Sequence, residues 1–372
     1  MKNVFIKQTN CITPLGFDVA SNWNAIQNLQ TGISLHEQFG AFSNIYASCI
    51  PNSKIKENFQ QIEKSVDDFS RIEQLLISVM KPIIDSNGIH PKTALILSTT
   101  KGNISALENN DLQSAFLSQL AKKIANYFQF QTEPIIVSNA CVSGVMALSV
   151  AKRMLQMQVF ENAYVVAVDE VTEFVVSGFN SFQAMSDEPC KPYDASRKGV
   201  NLGEAAAVVF VDTKPENALV EIIGDANIND ANHISGPSRT GEGLFLSIQS
   251  AVKEANITTD KIDAISLHGT ATLYNDEMEA IALNRLQMQQ IPAQSMKGYF
   301  GHTLGTSGLL ETVLLIESMQ KNTLIVSKGF ENLGVSQPIQ ITTEIAKKDI
   351  KYALKTASGF GGCNSAIVLK IK

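Results

Sequence analysis

Residues 138–156 read SNACVSGVMALSVAKRMLQ and place Cys141 directly before an apolar run with helical spacing. A structural cysteine is expected on the buried face of a helix, where it packs as a small hydrophobe. A reactive cysteine is expected at the amino end, where unpaired N–H groups and the helix macrodipole favour the thiolate. The position of Cys141 therefore predicts a nucleophile at the start of a helix.

A similar segment occurs later in the chain. Residues 301–319, GHTLGTSGLLETVLLIESM, also begin with small residues and continue as an apolar helix, with His302 in the place of Cys141. This similarity predicts an internal duplication. The run Lys-Pro-Glu-Asn at residues 214–217 is a natural joint, so we predict two halves, residues 1–214 and residues 215–372.

Short apolar runs alternate with helical patterns in both halves. Strands are predicted within residues 92–100, 133–140, 162–170, 203–213, 217–230, 261–269, 352–362 and 364–372. Such β-rich runs between helices indicate an α/β protein with largely buried sheets. A helix is predicted over about residues 53–85, where it would cover one face of a sheet.

The composition argues against several classes of function. The chain has 372 residues, is 44% hydrophobic and 18% charged, and carries a net charge of −6 without long blocks of like charge. Neither a nucleic-acid-binding tail nor a polybasic membrane patch is therefore expected. No signal peptide or membrane span is predicted, so we expect a cytoplasmic protein. The five scattered cysteines form no C-x-x-C pair, which argues against disulfides and a zinc site.

Two histidines are candidate partners of the thiol. His268 ends the apolar run KIDAISL, as expected of a strand that delivers a polar side chain to the carboxyl edge of a sheet, where α/β folds collect ligands. His302 lies five residues after Lys297, before the second apolar helix. Within that helix, Glu311 either pairs with Lys297 or faces water.

Two other segments have structural explanations. The glycines around Phe360 in GFGG, residues 359–362, predict a hairpin turn, and a gate with one aromatic side chain is the alternative. Asp194, Arg197 and Glu204 lie in a loop before a strand of small residues, and charges in such a loop most often fix it by ion pairing.

Together these motifs resemble the β-ketoacyl synthases of the thiolase superfamily. The resemblance rests on Cys141 in SNACVSG, His268 in HGTAT with Asp276 after it, Lys297 and His302 in KGYFGH, Glu311, and Phe360 in GFGG. It implies a five-layered αβαβα fold built from two similar halves. It also implies decarboxylative Claisen condensation of an acyl chain with malonyl-acyl carrier protein, in fatty acid or polyene/polyketide-type biosynthesis.

The resemblance implies a role for each catalytic residue. Cys141 would carry the acyl group as a thioester, which divides a difficult condensation into two transfers. His268 and His302 would donate hydrogen bonds to the malonyl thioester carbonyl and stabilise the enolate that forms as carbon dioxide leaves. Lys297, paired with Glu311, would orient the two histidines.

Supporting roles follow from the same resemblance. The backbone N–H groups of Cys141 and Phe360 would form an oxyanion hole for acyl transfer. Thr270 and Thr272 would bind the phosphopantetheine arm that acyl carrier protein brings, and Asp276 is a supporting residue. No metal and no resident cofactor are expected.

Several features leave alternatives open. The region of about residues 104–132 is trimmed relative to the family, where it helps to shape the dimer contact and the acyl pocket, so the preferred chain length stays open. A homodimer, or a heterodimer with a related ketosynthase-like chain, is expected. Cys363 follows GFGG where threonine is commoner, and an inert small residue is the simplest interpretation.

Two other functions compete with the condensing enzyme. A non-catalytic partner subunit resembling a chain-length factor would be expected to lack the nucleophile that this chain retains. A thiolase-like enzyme or an initiating synthase would use coenzyme A esters, and such relatives usually carry a Cys-His-Asn or Cys-His-Cys set.

Overall fold

The computed structural model describes residues 2–231 and 236–372. The strands up to residue 217 are β1 (Phe5–Ile12), β2 (Ser34–Phe39), β3 (Phe42–Ser48), β4 (Thr93–Ser98), β5 (Ile135–Val137), β6 (Asn162–Asp169), β7 (Leu202–Gly203) and β8 (Ala205–Asp212). The α-helices in the same part are α1 (Val19–Gln27), α2 (Asn52–Gln60), α3 (Arg71–Asn87), α4 (Leu112–Ala115), α5 (Leu117–Phe128), α6 (Ser143–Gln156) and α7 (Glu173–Ser181).

The remainder of the chain repeats this mixture of elements. Its strands are β9 (Val220–Asn229), β10 (Ala264–Ser266), β11 (Ala293–Gln294), β12 (Thr323–Leu324), β13 (Ala346–Lys347), β14 (Tyr352–Gly359) and β15 (Cys363–Ile371). Its α-helices are α8 (Glu242–Glu254), α9 (Leu273–Arg285), α10 (Lys297–Phe300) and α11 (Ser307–Gln320).

Ten strands form one sheet in the order β11-β10-β14-β15-β9-β1-β8-β6-β4-β5. Read outward from the centre, β1-β8-β6-β4-β5 has the same connectivity as β9-β15-β14-β10-β11. The directions agree as well, because β8 and β15 are antiparallel to both of their neighbours and the three outermost strands of each set are parallel. The repeated topology confirms the internal duplication, while the boundary between residues 214 and 215 stays a prediction.

Helices lie on both sides of each half-sheet and between the two half-sheets. Helices α6 and α11 pack on each other and contact strands of both halves, and they form a central layer. Helix α3 covers the outer face of the first half-sheet, and α8 covers the outer face of the second. Three hydrophobic clusters fill the interfaces between these layers. This is the predicted five-layered αβαβα arrangement of two similar halves.

The central helices cross at glycines. A Cβ atom at Gly144 would lie 2.5 Å from the backbone N of Leu309, and one at Gly308 would lie 2.8 Å from the backbone N of Val145. The backbones therefore approach more closely than any side chain allows. Because Cys141 and His302 each precede one of these helices, the crossing brings their side chains together.

All eight predicted strands are present, and the predicted helix over residues 53–85 is wrong in its middle. Helix α2 ends at Gln60, a short 3₁₀-helix spans Val66–Asp68, and α3 begins only at Arg71. The cause is a capping box at Ser70, whose backbone N–H donates to Glu73 Oε2 at 2.8 Å and fixes a new helix start. Within the described residues, no helix is both long and apolar enough to cross a bilayer.

Candidate active site

Cys141 lies in a tight turn between β5 and α6. Ala140 adopts a left-handed conformation with φ of +44°, which is uncommon for a residue with a side chain. Ser143 Oγ accepts a hydrogen bond from the Asn139 N–H at 2.8 Å and donates one to the Ala140 carbonyl at 2.6 Å. These bonds fix the turn, so the predicted position of Cys141 at the start of a helix is confirmed.

His302 is the direct partner of the thiol. Its Nε2 lies 3.0 Å from Cys141 Sγ, and its Nδ1 lies 2.9 Å from Ser307 Oγ. The Ser307 hydroxyl also accepts a bond from the Thr303 N–H at 3.1 Å. Because a hydroxyl can accept from or donate to Nδ1, Ser307 satisfies either tautomer of the imidazole. With the proton on Nδ1, the Nε2 lone pair accepts from the thiol.

The electrostatics favour a neutral pair at rest. Burial raises the pKa of the Cys141 thiol to about 11, although the nearby charge of Lys297 opposes this shift. Burial, reinforced by Lys297, holds the pKa of His302 well below its usual range. The helix end therefore does not suffice to ionise the thiol, and the nearby histidines must assist. A neutral imidazole supplies no charge, but its Nε2 is placed to accept the thiol proton.

His268 is held as a hydrogen-bond donor. Lys297 Nζ lies 2.9 Å from Glu311 Oε1, 2.5 Å from the His268 carbonyl oxygen and 3.3 Å from His268 Nδ1. An ammonium group has three N–H donors and cannot accept, so Nδ1 of His268 accepts and its proton lies on Nε2. The predicted pairing of Lys297 with Glu311 is confirmed.

The three reactive side chains face one another. Cys141 Sγ and one ring nitrogen each of His268 and His302 lie within 4.8 Å of one another. The two imidazoles meet edge to face, with their centroids 5.1 Å apart. One ring is thus placed to take a proton from the thiol, while the other presents an N–H to the same space.

A second buried lysine escaped the sequence analysis. Lys355 on β14 is fully buried, and its Nζ lies 2.6 Å from Glu311 Oε2. It also donates to the carbonyl oxygens of Ser266 and Leu267, at 3.2 Å each. The available signal was a lysine within an apolar strand-like run, YALKTASG, because a lysine buried there needs an anionic or carbonyl partner.

Two carboxylates of α9 fix the loop that follows His268. Asp276 accepts from the backbone N–H groups of Thr270 at 3.0 Å and Tyr193 at 2.7 Å, and burial raises its pKa to about 7. Glu279, a second residue that the sequence analysis missed, accepts from the His268 N–H at 2.8 Å. Asp276 therefore fixes this loop through its backbone, and its supporting role in the reaction stays a prediction. Glu279 follows it on the same helix face, which was the signal available in the sequence.

A cavity of about 420 Å³ opens onto these groups. Thr270 and Thr272 line it, and their hydroxyl oxygens lie 2.8 Å apart. Phe360 lies in the turn of the β14–β15 hairpin and also lines the cavity. Its ring packs against Phe179 and Phe182, with centroids 5.8 Å and 5.1 Å away. The predicted hairpin is confirmed, and its aromatic side chain faces the site.

The backbone N–H of Phe360 contributes to the site directly. A backbone interaction of Phe360 with the thiol acts to lower the pKa of Cys141. A Cβ atom at Gly359 would lie 3.0 Å from the backbone N of Cys141, so this hairpin and the nucleophile turn touch. The backbones of this hairpin and of the nucleophile turn are therefore neighbours, and the oxyanion hole formed by the N–H groups of Cys141 and Phe360 stays a prediction.

The remaining predicted residues have structural roles. Cys363 Sγ donates to Asn139 Oδ1 at 2.9 Å and so supports the turn that precedes Cys141. Asp194 accepts from backbone N–H groups of its own loop and of residues 331–332. Glu204 forms a buried ion pair with Arg71. The prediction that these loop charges are structural is confirmed.

Comparison with known proteins agrees with this geometry. Residues 1–217 match the family described as "Beta-ketoacyl synthase, N-terminal domain", and residues 219–331 match "Beta-ketoacyl synthase, C-terminal domain". The chain is 27% identical to "Putative 3-oxoacyl-[acyl-carrier-protein] synthase, mitochondrial" of Schizosaccharomyces pombe, across 100% of this chain and 99% of that protein. It is 25% identical to "3-oxoacyl-[acyl-carrier-protein] synthase 2" of Vibrio harveyi, across 99% of this chain and 98% of the relative.

Solved structures share the fold over the whole chain. "The ishigamide ketosynthase/chain length factor" is similar with a TM-score of 0.89 and 19% identity, covering 100% of this chain and 99% of that one. "Ketosynthase (ApeO) in Complex with its Chain Length Factor (ApeC) from Xenorhabdus doucetiae" is similar with a TM-score of 0.87 and 22% identity, covering 100% and 98%. At these identities the likeness establishes the thiolase-like fold.

Proposed function

The chain belongs to the β-ketoacyl synthase family, and from that premise we propose that it is an acyltransferase, a 3-oxoacyl-[acyl carrier protein] synthase. It condenses an acyl chain bound to Cys141 with malonyl-acyl carrier protein, releasing carbon dioxide and 3-oxoacyl-acyl carrier protein. The observation that carries the proposal is the contact of 3.0 Å between His302 Nε2 and Cys141 Sγ, with His268 facing the same cavity.

The first step is acyl transfer. Cys141 Sγ attacks the thioester carbonyl of the acyl-carrier substrate while His302 Nε2 takes the thiol proton. The N–H groups of Cys141 and Phe360 stabilise the oxyanion of the tetrahedral intermediate. When the intermediate collapses, the carbon–sulfur bond to the carrier breaks, and the released carrier thiolate takes the proton back from His302.

The second step is decarboxylative condensation. After the carrier thiol leaves, His302 takes up a proton from solvent. The malonyl carboxylate then leaves as carbon dioxide, and its bonding electrons form an enolate whose oxygen accepts from His268 Nε2–H and from the protonated His302. The enolate carbon then attacks the Cys141 thioester, and the carbon–sulfur bond to the enzyme breaks. Condensation consumes one proton overall, which His302 delivers to the departing Cys141 sulfur.

The carrier arm is proposed to enter past the two threonines. The hydroxyls of Thr270 and Thr272 lie on the cavity wall, where they can bond to the amides of phosphopantetheine. The arm arrives as part of the substrate, so the proposal needs no metal and no resident cofactor. Fatty acid and polyene/polyketide-type biosynthesis both use this chemistry, and a cytoplasmic location stays a prediction.

We further propose that the chain works as a homodimer or as a heterodimer with a related ketosynthase-like chain. The two ends of the ten-stranded sheet differ. At one end β11 is covered, because Ala293 exchanges backbone bonds with Gln340 at 2.8 Å and Thr342 at 2.9 Å. At the other end lies β5, whose Ile135 and Ile136 are only half buried. An apolar sheet edge of this kind is suited to pairing with a second chain.

Covalent loading tests the assignment of the nucleophile. Incubation with an acyl-acyl carrier protein is expected to add one acyl mass to the intact protein. Cys141→Ser should lose a stable thioester adduct, and the matched control Cys363→Ser should keep it. An adduct that disappears in Cys363→Ser and persists in Cys141→Ser would overturn the assignment.

Release of carbon dioxide separates the condensing enzyme from its alternatives. Radiolabelled malonyl-acyl carrier protein should lose its carboxyl label with the wild-type protein, and His268→Ala should abolish this loss. A correctly folded wild-type protein that releases no label, alone or with a related partner chain, would favour the chain-length-factor interpretation. Loading from coenzyme A esters in preference to carrier thioesters would favour an initiating synthase or a thiolase.

A further inference from the structure

We propose that Lys355 is a positioning residue of the condensation site, which holds Glu311 and the backbone of His268 and adds a second positive charge beneath the two histidines. The inference rests on the proposed function and deepens it, because it assigns an electrostatic component of the same site. The sequence motifs predict one ion pair, between Lys297 and Glu311. In the structure, Glu311 pairs with both Lys297 and Lys355.

Glu311 bridges the two ammonium groups. Its Oε1 lies 2.9 Å from Lys297 Nζ, and its Oε2 lies 2.6 Å from Lys355 Nζ. None of the three side chains is more than 3% exposed. One carboxylate between two ammonium groups leaves the cluster with a formal charge of +1, and burial prevents solvent from screening it.

The acceptors around Lys355 favour its ammonium form and so oppose burial and the charge of Lys297, both of which lower its pKa. Besides Glu311, its Nζ contacts the carbonyl oxygens of Ser266 and Leu267 at 3.2 Å and of Thr356 at 2.7 Å. All four neighbours are acceptors. A neutral amine would turn its lone pair toward one of these oxygens, so only the protonated side chain satisfies the site.

The two lysines also fix the chain that delivers His268. Lys355 pairs in register with Ser266 across the parallel strands β14 and β10. Its ammonium group binds the carbonyls of Ser266 and Leu267, and Lys297 binds the carbonyl of His268. Three consecutive carbonyl groups at the carboxyl end of β10 are thus held by ammonium donors. Loss of Lys355 would free two of them just before the catalytic imidazole.

The charge of Lys355 acts on both histidines. It contributes, together with Lys297, to the lowered pKa of His268 and of His302. Other titratable groups also face these rings or the nearby thiol: Cys141 before α6, Lys101 after β4, Asp169 on β6, Asp276 and Glu279 on α9, and Glu311 on α11. Removal of one buried positive charge should raise the pKa of His302, because its imidazolium is then less strongly repelled.

The same charge should favour the reaction. The enolate formed by loss of carbon dioxide is an anion beside His268, and a cluster of charge +1 stabilises it more than a neutral cluster does. Lys355 touches no reacting atom in this arrangement. It acts through Glu311, through the His268 backbone and through its field.

The pH dependence of Cys141 alkylation tests the electrostatic role without any substrate. Reaction with iodoacetamide, followed by intact mass, should fall at low pH as His302 becomes protonated. Lys355→Met is expected to move the midpoint of this fall to higher pH, and Lys355→Arg should keep the wild-type midpoint. Glu311→Gln removes a negative charge and should move the midpoint the opposite way, which keeps the test informative if one lysine variant fails to fold.

A buried lysine far from the site provides the matched control. Lys152 is 2% exposed and pairs with Asp225 at 2.8 Å, so Lys152→Met, like Lys355→Met, removes a buried ammonium group from an ion pair. We expect Lys355→Met to lower kcat for malonyl decarboxylation by roughly ten- to a thousandfold with little change in KM, and Lys152→Met to leave kcat and the midpoint unchanged. The proposal fails if Lys355→Met matches Lys152→Met in both measurements. A wild-type protein without decarboxylation would instead overturn the proposed function, while the alkylation midpoints would still decide the role of Lys355.

Discussion

Removal of the His302 imidazole should expose the full cost of ionising Cys141. Burial raises the pKa of the Cys141 thiol to about 11. At pH 7 the thiolate fraction of an isolated thiol with that pKa is on the order of 10⁻⁴, which corresponds to about 5 kcal/mol. The imidazole 3.0 Å away offsets this cost by accepting the proton as the sulfur attacks.

The assay is the alkylation rate of Cys141 by iodoacetamide from pH 6 to 10, measured by intact mass in a Cys363→Ser background. In His302→Ala the rate at pH 7 should fall by roughly 10²–10⁴-fold, the usual contribution of a positioned general base. It should then rise about tenfold per pH unit across the range. The protein with His302 should show a nearly flat profile, because its neutral imidazole is available throughout.

His268→Ala is the informative comparison. His268 faces the same cavity, but its Nδ1 is committed to Lys297 and its ring is not bonded to the thiol. This variant should therefore keep the flat alkylation profile while losing malonyl decarboxylation. A steep profile in the protein that retains His302, or an unchanged rate in a folded His302→Ala, would refute the proton-acceptor role.

Two further predictions concern the stability of the fold. Gly144→Ala should lower the free energy of unfolding, measured by urea titration, by about 1–3 kcal/mol through overpacking, since its Cβ would lie 2.5 Å from the Leu309 backbone. The control Gly178→Ala on α7, which has open space around it, should not lower the free energy of unfolding. Because His268 and His302 have a lowered pKa in the folded state, the unfolded chain binds more protons below about pH 6.5. The free energy of unfolding should then fall with decreasing pH by up to about 1.4 kcal/mol per pH unit for each histidine. The fall should be less steep in His302→Ala. A His302→Ala slope equal to that of the protein with both histidines would contradict this prediction.

Local patterns were sufficient for most of the fold. The buried strands β4, β6 and β8 are nearly uninterrupted apolar runs, so the sequence alone predicts them. Strand β1 was missed because FIKQTNCI carries four polar residues in its middle, which its antiparallel partner β8 accommodates. Strand β11 has only two residues, too few for any periodicity.

Some residues of the candidate site could likewise be predicted from local sequence patterns, and others could not. Cys141, His268, Lys297 and His302 lie within short motifs, so their importance could be predicted from the sequence. Lys355 was missed because its partners Glu311 and Ser266 are distant in the chain and only the fold brings them together. Glu279 was missed because its spacing from Asp276 does not show that it binds the His268 backbone. Protonation states were also beyond the sequence, since burial and hydrogen-bond partners decide them.

The crossing of α6 and α11 has an evolutionary consequence. Two copies of one ancestral segment, related by an approximate two-fold axis, would present the same side chain twice at the point where they meet. In this chain one copy instead presents the Cys141 thiol and the other presents the His302 imidazole, with Sγ and Nε2 3.0 Å apart. Neither copy alone contains both partners, so chemistry at the seam depends on the two copies having remained joined.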